Sequence, residues 1–255
     1  MAALFDHPAY YDLLLRTASG EECQFLKGCF ERYAGRPVRR VFEPACGSGR
    51  LLIRLGLSGF EVSGFDLNRH AVQYCNARLT RYGLPPSAVV RDIEDFRLSR
   101  RADAAFNLIS SFQYLPTERS ALRHLQSMVA SLARGGLYII GLQLLPLRGR
   151  RIALEKWAGR RGPLSVTARI WTKRIERRSR RELCGLSVNV VTPRRRLTIT
   201  EDMILRTYTA HQMRRLLRKV SQFEVAATYD FRYDLAHPAS IDARTQDAVY
   251  VLRRR

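Results

Sequence analysis

Val41-Phe42-Glu43-Pro44-Ala45-Cys46-Gly47-Ser48-Gly49-Arg50 is the stretch on which the reading of this 255-residue chain turns. Val38, Val41 and Phe42 predict a short strand ending in the carboxylate of Glu43. A tight turn of small residues follows from Ala45 to Gly49, and Leu51, Leu52 and Leu55 then open a helical pattern. Strand, small-residue loop and helix in that order form the nucleotide cradle of open α/β sheets. Without bulky side chains the backbone can approach a ligand, and the helix start points free N–H groups towards it. A dinucleotide fingerprint would need a third glycine at position 52, where Leu52 stands, so that reading fails. Taken alone, the stretch also fits an ordinary β–turn–α connection whose glycines serve packing.

Downstream the pattern keeps alternating. Glu61 to Asp66 reads as a second strand, a helix spans about Arg69 to Tyr82, and Gly83-Leu84-Pro85-Pro86 breaks it. Ala88 to Asp92 reads as a third strand and the apolar run Ala104 to Ile109 as a fourth, buried one. That run leads into Ser110-Ser111-Phe112-Gln113-Tyr114-Leu115. A helix capped at Thr117 follows, and then Arg134-Gly135-Gly136 enters the strand Leu137 to Gly141. Ile152 to Arg161 reads as a short basic helix. Three segments of period two come next (Val166, Ala168, Ile170; Leu186, Val188, Val190; Leu197, Ile199), which predict a small antiparallel sheet. The chain closes with a helix around Met213 to Val220 and strands at Phe223 to Ala226 and Asp247 to Leu252. Residues 5–34, upstream of the first strand, read as helical.

Composition bounds the function. The formal charge is +21, and all but four of the 44 basic side chains are arginine, a skew that codon usage in a GC-rich genome also produces. Between Arg148 and Arg196 sixteen basic residues stand against three acidic ones, so most of the excess lies on the period-two region. Such a field favours an acidic substrate, a nucleic acid or an anionic surface. The N-terminus lacks a basic region followed by a long apolar run, and no apolar run reaches the ~20 residues of a membrane span. Five cysteines without a C-x-x-C pair argue for thiols in a reducing cytoplasm. No cluster of acids and histidines argues for a metal.

In sequence order these pieces resemble class I methyltransferases dependent on S-adenosylmethionine (SAM), small-molecule type with a β-insertion, over residues 38–142 and 206–252. Glu43-x-Ala45-x-Gly47-x-Gly49 resembles the family's motif I, which usually has glycine at the position of Ala45 and often Asp at that of Glu43. The resemblance implies an α/β fold: a doubly wound, mostly parallel seven-stranded sheet with a small antiparallel β insertion. It divides the chain into an N-terminal helical cover (1–37), a SAM-binding core (38–147), the basic insertion (148–205) and the rest of the core (206–255).

It also implies site residues. Glu43, Ala45, Cys46, Gly47 and Gly49 would form the cofactor loop. Asp66, followed by Leu67 and Asn68, would hold the ribose diol. Asp92 would accept from the adenine amino group, with Ile93 against the ring and Asp95 as a competitor. Ser110 would lie beside the cofactor. Gln113 and Tyr114, with Tyr10 or Tyr11 from the cover, would line the methyl-transfer chamber, Tyr11 serving transfer and Tyr10 the cofactor. His7, Tyr114 and His211 are candidate bases. The segment 110–115 does not resemble the version used on base exocyclic amines. The expected partner is a small acceptor, anionic if the arginine-rich insertion, including Arg194, Arg195 and Arg196, shapes its choice. RNA docked on that insertion, or a non-catalytic SAM-binding module, are the alternatives.

Overall fold

The computed structural model describes residues 3–16, 19–149 and 151–255. A single 3-10 turn (Ala3–Asp6) leads into helices α1 (Pro8–Leu15) and α2 (Ser19–Tyr33). The core then alternates β1 (Arg40–Pro44), α3 (Arg50–Leu57), β2 (Glu61–Asp66), α4 (Arg69–Arg81), β3 (Ala88–Val90) and β4 (Ala102–Asn107). A 3-10 turn (Ser111–Tyr114), α5 (Glu118–Ser131) and β5 (Leu132–Gln143) follow. Four strands form the insertion: β6 (Leu154–Arg161), β7 (Leu164–Glu176), β8 (Arg181–Val191) and β9 (Arg196–Arg206). The core resumes with α6 (Ala210–Arg218), β10 (Phe223–Tyr229) and β11 (Asp247–Arg254).

The seven-stranded sheet has the order β10-β11-β5-β4-β1-β2-β3. Only β11 runs antiparallel to its neighbours. Strand order reverses between β1 and β4, and the crevice beyond the carboxyl ends of those strands is where open α/β sheets bind ligands. Both faces of the central strands are buried, which is why those strands read as apolar runs. Along β5, Tyr138 and Ile140 pack with Leu125 and Met128 of α5 and Met213 of α6. Leu137 and Ile139 on the opposite face join Leu26 of α2, Leu52 of α3 and Val72 of α4. The doubly wound expectation is met. Helices α5 and α6 both begin with capping boxes, Thr117 with Ser120 and Thr209 with Gln212, which satisfy N–H groups that a helix start leaves free.

One expected helix is absent. Residues 154–161 form β6, the edge strand of a four-stranded antiparallel sheet ordered β6-β7-β8-β9. Exposure alternates along it with a period of two. The residues expected to face inward in the next three strands do so, and the surface they cover is the N-terminal segment. Leu4, Tyr11, Leu13 and Leu14 share one apolar cluster with Val166, Ala168, Leu186, Val188, Val190 and Ile199. The approach is close enough that a Cβ on Gly159 of β6 would lie 2.5 Å from the carbonyl oxygen of Leu13. Cover helix and insertion are thus packed as one layer.

Candidate active site

The loop after β1 is shaped by left-handed backbone at Ala45 (φ 54°), Gly47 (φ 54°) and Gly49 (φ 69°). Gly49 is the N-cap of α3. Glycine adopts these angles freely, whereas Ala45 holds one at a steric cost of about 1–2 kcal/mol. At Gly47 a side chain would also meet Tyr11, whose ring and hydroxyl lie 3.3 Å from the position of a Cβ. The cover therefore rests directly on the loop.

Asp66 at the tip of β2 faces this loop. Its Oδ2 accepts the N–H of Gly47 at 2.9 Å and its Oδ1 the N–H of Asn68 at 2.9 Å. Burial pushes the Asp66 carboxyl above its usual range, while the backbone N–H groups of Asn68, Gly47 and Leu67 pull it back. Both ends of the Asn68 amide are engaged: Oδ1 caps α4 through the N–H groups of His70 and Ala71, and Nδ2 donates to Asp6 at 2.6 Å. Leu67 is exposed.

Glu43 and Asn107 stand at the ends of adjacent strands, β1 and β4, at the switch point. Both are buried, and Glu43 Oε2 and Asn107 Oδ1 have no hydrogen-bond partner among the described residues. Asn107 donates from Nδ2 to the carbonyl of Pro44 at 2.8 Å. Burial pushes the Glu43 carboxyl well above the ordinary range, with the Arg50 guanidinium acting in the opposite sense. Arg50 itself pairs with Glu22 of α2. Cys46 is buried, and its N–H donates to the carbonyl of Phe65 at 2.8 Å, stitching the loop to β2.

Of the two cover tyrosines, Tyr11 lies over Gly47, whereas Tyr10 packs on His7 with ring centroids 5.3 Å apart. Burial first, then the charge of Asp66, pushes the Tyr11 phenol up, so it stays protonated. Phe5 links Tyr11 to Tyr114, 6.0 Å from each ring, and the Tyr114 hydroxyl donates to Met203 Sδ of β9 at 3.3 Å. Ser110 adopts φ 52° just beyond β4. Gln113 is buried and its amide is engaged: Nε2 donates to the Arg206 carbonyl at 3.1 Å and Oε1 accepts from Gln143 N–H at 3.3 Å. The loop after β3 carries Asp92 on its surface, where Oδ1 accepts the Glu94 N–H at 2.7 Å. Ile93 is half-buried, Asp95 is exposed, and His7 and His211 are exposed.

Three polar residues of this neighbourhood escape a reading by motif. Asp12 of α1 is 2% exposed, and its Oδ1 accepts from Ser48 Oγ at 2.8 Å and from Arg78 of α4 at 2.5 Å. Arg78 also donates to the Ser48 carbonyl at 2.9 Å, and Arg161 of β6 lies 3.6 Å from Asp12 Oδ2. One carboxylate thus ties cover, loop, α4 and insertion together. Asn107 and His124 are the others. The signal for each was a lone polar side chain inside an apolar pattern.

Between core and insertion a small cleft of about 30 Å³ is lined by Gln113, Gln143, Arg151, Glu155, Thr172 and Glu182, among others. Glu182 accepts from Thr172 Oγ1 at 2.6 Å and pairs with Arg151, and Glu155 accepts from Gln143. Arg194, Arg195 and Arg196 instead line an open hollow of about 480 Å³ at the β8–β9 turn. The register runs from Arg181 opposite Arg206 to Val191 opposite Arg196. Ten residues of strand, roughly 33 Å, therefore separate that turn from the end held by Gln113.

Known proteins share parts of this sequence and its fold. A family model described as a methyltransferase domain matches residues 41–136. The tRNA (guanine(10)-N2)-dimethyltransferase of Methanothermobacter thermautotrophicus is 32% identical over 104 residues, 38% of this chain and 31% of that one. A putative methyltransferase of Bacillus subtilis, YqeM, is 26% identical over 101 residues, 39% and 40% of the two chains. The chain spans about a third of the length of the curated relatives it matches. Among solved structures, Streptomyces venezuelae DesVI superposes with a TM-score of 0.79 at 16% identity over 98% of both chains. A SAM-dependent methyltransferase from Clostridium acetobutylicum gives 0.77 at 16% over 96% of both. At such identities the likeness is one of fold. Residues 41–136 thus match a methyltransferase domain, and over nearly its whole length the chain shares the Rossmann-like fold of a solved SAM-dependent methyltransferase.

Proposed function

We propose that the protein transfers the methyl group of SAM to a small acceptor that presents an amino group. The observation that carries the cofactor half is the Asp66 carboxylate, held against the Gly47 N–H at the strand-order reversal. A paired carboxylate at that tip accepts hydrogen bonds from a sugar diol, which SAM has, and needs no phosphate site. Glu43 Oε2 and Asn107 Oδ1 are buried acceptors without donors, and leaving such atoms unmet costs about 1–3 kcal/mol each. Both fit the ammonium end of the cofactor. Asp92 and Ile93 would meet its base.

When bound, SAM supplies an electrophilic methyl on a sulfonium. The chain then has to align the acceptor and exclude water, a task worth several kcal/mol by orientation alone. The rings of Tyr11, Phe5 and Tyr114 supply apolar walls whose faces favour positive charge by about 0.5–2 kcal/mol. Tyr11, kept protonated beside Asp66, can donate a hydrogen bond but is no base.

For the acceptor, the cleft beside Gln113 and Gln143 supports a cation or an amine. Among the described residues it holds Glu155 and Glu182 against Arg151. Asp247, opposite Gln143 in the sheet, is pushed up by burial and then by Glu155. The anionic acceptor expected from the arginine count draws no support from Arg194–Arg196, which line a distant turn. One structural neighbour, KedS8 from Streptoalloteichus, with a TM-score of 0.74 at 19% identity over 96% of this chain and 92% of that one, is described as a sugar N-methyltransferase.

A second reading, RNA as acceptor, is favoured by the exposed arginine turn and by the local similarity to a tRNA methyltransferase. Incubation with methyl-labelled SAM and a metabolite extract, with and without total RNA, separates the two. Label in a small basic product supports the first reading; label in RNA, suppressed by salt, supports the second. Label in neither would contradict both.

A further inference from the structure

His124 of α5 has no exposed surface, and each of its ring nitrogens has one partner. Nδ1 lies 2.8 Å from the carbonyl oxygen of Ile93, in the loop after β3, and Nε2 lies 2.8 Å from the hydroxyl of Tyr138 in β5. A carbonyl only accepts, so Nδ1 must carry the hydrogen. Burial pushes the ring down to about 4, which keeps it neutral and leaves Nε2 bare. The Tyr138 hydroxyl must then donate to Nε2. Both bonds have a fixed direction: Tyr138 O–H to Nε2, and Nδ1–H to the Ile93 oxygen.

The ring is also enclosed by the aromatic side chains of both flanking segments. Phe96, just after the Asp92–Ile93 loop, has its centroid 5.9 Å away, and Phe112, which precedes Gln113 and Tyr114, has its centroid 5.6 Å away. Phe112 in turn packs on Tyr208. One imidazole therefore contacts the loop proposed to meet the cofactor's base and the segment proposed to line the chamber. Free imidazole has two interconvertible neutral tautomers, and the hydrogen bond at one nitrogen decides which is present at the other.

We propose that His124 is a positioning residue that fixes the peptide of Ile93 for recognition of the cofactor's base, with Tyr138 selecting the tautomer it needs. This rests on the reading that Asp92 and Ile93 meet the base. The anchor lies on the face of the loop turned to the protein interior, so it orients the recognition segment without contacting the ligand.

Calorimetric binding of S-adenosylhomocysteine tests it, with folding of each variant followed by circular dichroism. His124→Leu, which removes both bonds, should weaken binding at least tenfold, and His124→Asn, which keeps a donor near Nδ1, should recover most of that loss. A folded His124→Leu variant with wild-type affinity would overturn the inference, as would equal losses in both variants. Should His124→Leu not fold, nitrogen NMR of the wild type decides: the hydrogen is expected on Nδ1, and a hydrogen on Nε2 would overturn the proposal. Absence of binding by the wild type would instead sink the cofactor reading.

Discussion

His124 shows how a single side chain is committed by its surroundings. Its native ring titrates at about 4, whereas an imidazole in the unfolded chain titrates near its usual ~6.5. Between those values the unfolded chain binds a proton that the native state refuses. Stability from this group is therefore complete above the unfolded value and falls as pH drops towards 4, by about 3 kcal/mol in all. Glu43, Asp66 and Asp247 have raised carboxyls and act in the opposite sense, so the wild type alone does not isolate the effect. The difference in urea unfolding free energy between wild type and His124→Phe does. It should shrink by about 2–3 kcal/mol from pH 7 to pH 4.5, and a pH-independent difference would show that the ring titrates normally. At this scale motif residues were legible and partners were not. Asp66 and Gly47 stand out because the loop needs them locally. His124 and Asn107 sit inside apolar runs, and their roles depend on which strand folds beside them.

Among the elements, helix α1 holds the loop after β1 through one buried carboxylate. Asp12→Ala would leave Arg78, whose side chain is 20% exposed, without its ion-pair partner, and would free Ser48. Removing one member of a buried pair costs about 3–5 kcal/mol. A loss of that order in unfolding free energy is expected, with Asp12→Asn milder because its amide oxygen still accepts. A loss below about 0.5 kcal/mol would show that α1 is held by its apolar contacts alone. The core elements were legible because each carries an unbroken apolar pattern and a recognisable start, as the capping box at Thr117 illustrates. Residues 154–161 were misread because Trp157 is their one large inward-facing apolar side chain. A polar edge strand carries little periodicity of its own, and β6 owes its conformation to pairing with β7 and to α1 beneath it.

Over the whole molecule, charge and chemistry occupy different places. The excess of positive charge gathers on the insertion, with Arg194, Arg195 and Arg196 at its far turn, while carboxylates and amides surround Arg151 in the inner cleft. A total from the sequence cannot make that division, because it depends on which end of each β-hairpin meets the core. What unites the molecule is the switch point of its seven-stranded sheet, where the end of β1 and its loop meet Asp66 of β2, Tyr11 of the cover and Asn107 of β4. The decisive measurement is calorimetric SAM affinity of wild type, Asp66→Asn and Asp66→Ala, each normalised to its folded fraction. Charged hydrogen bonds contribute about 1.5–3 kcal/mol each and 1.4 kcal/mol is tenfold, so loss of the carboxylate should weaken binding about 100-fold or more. Wild-type affinity in a folded Asp66→Ala variant would contradict a cofactor gripped at this strand tip.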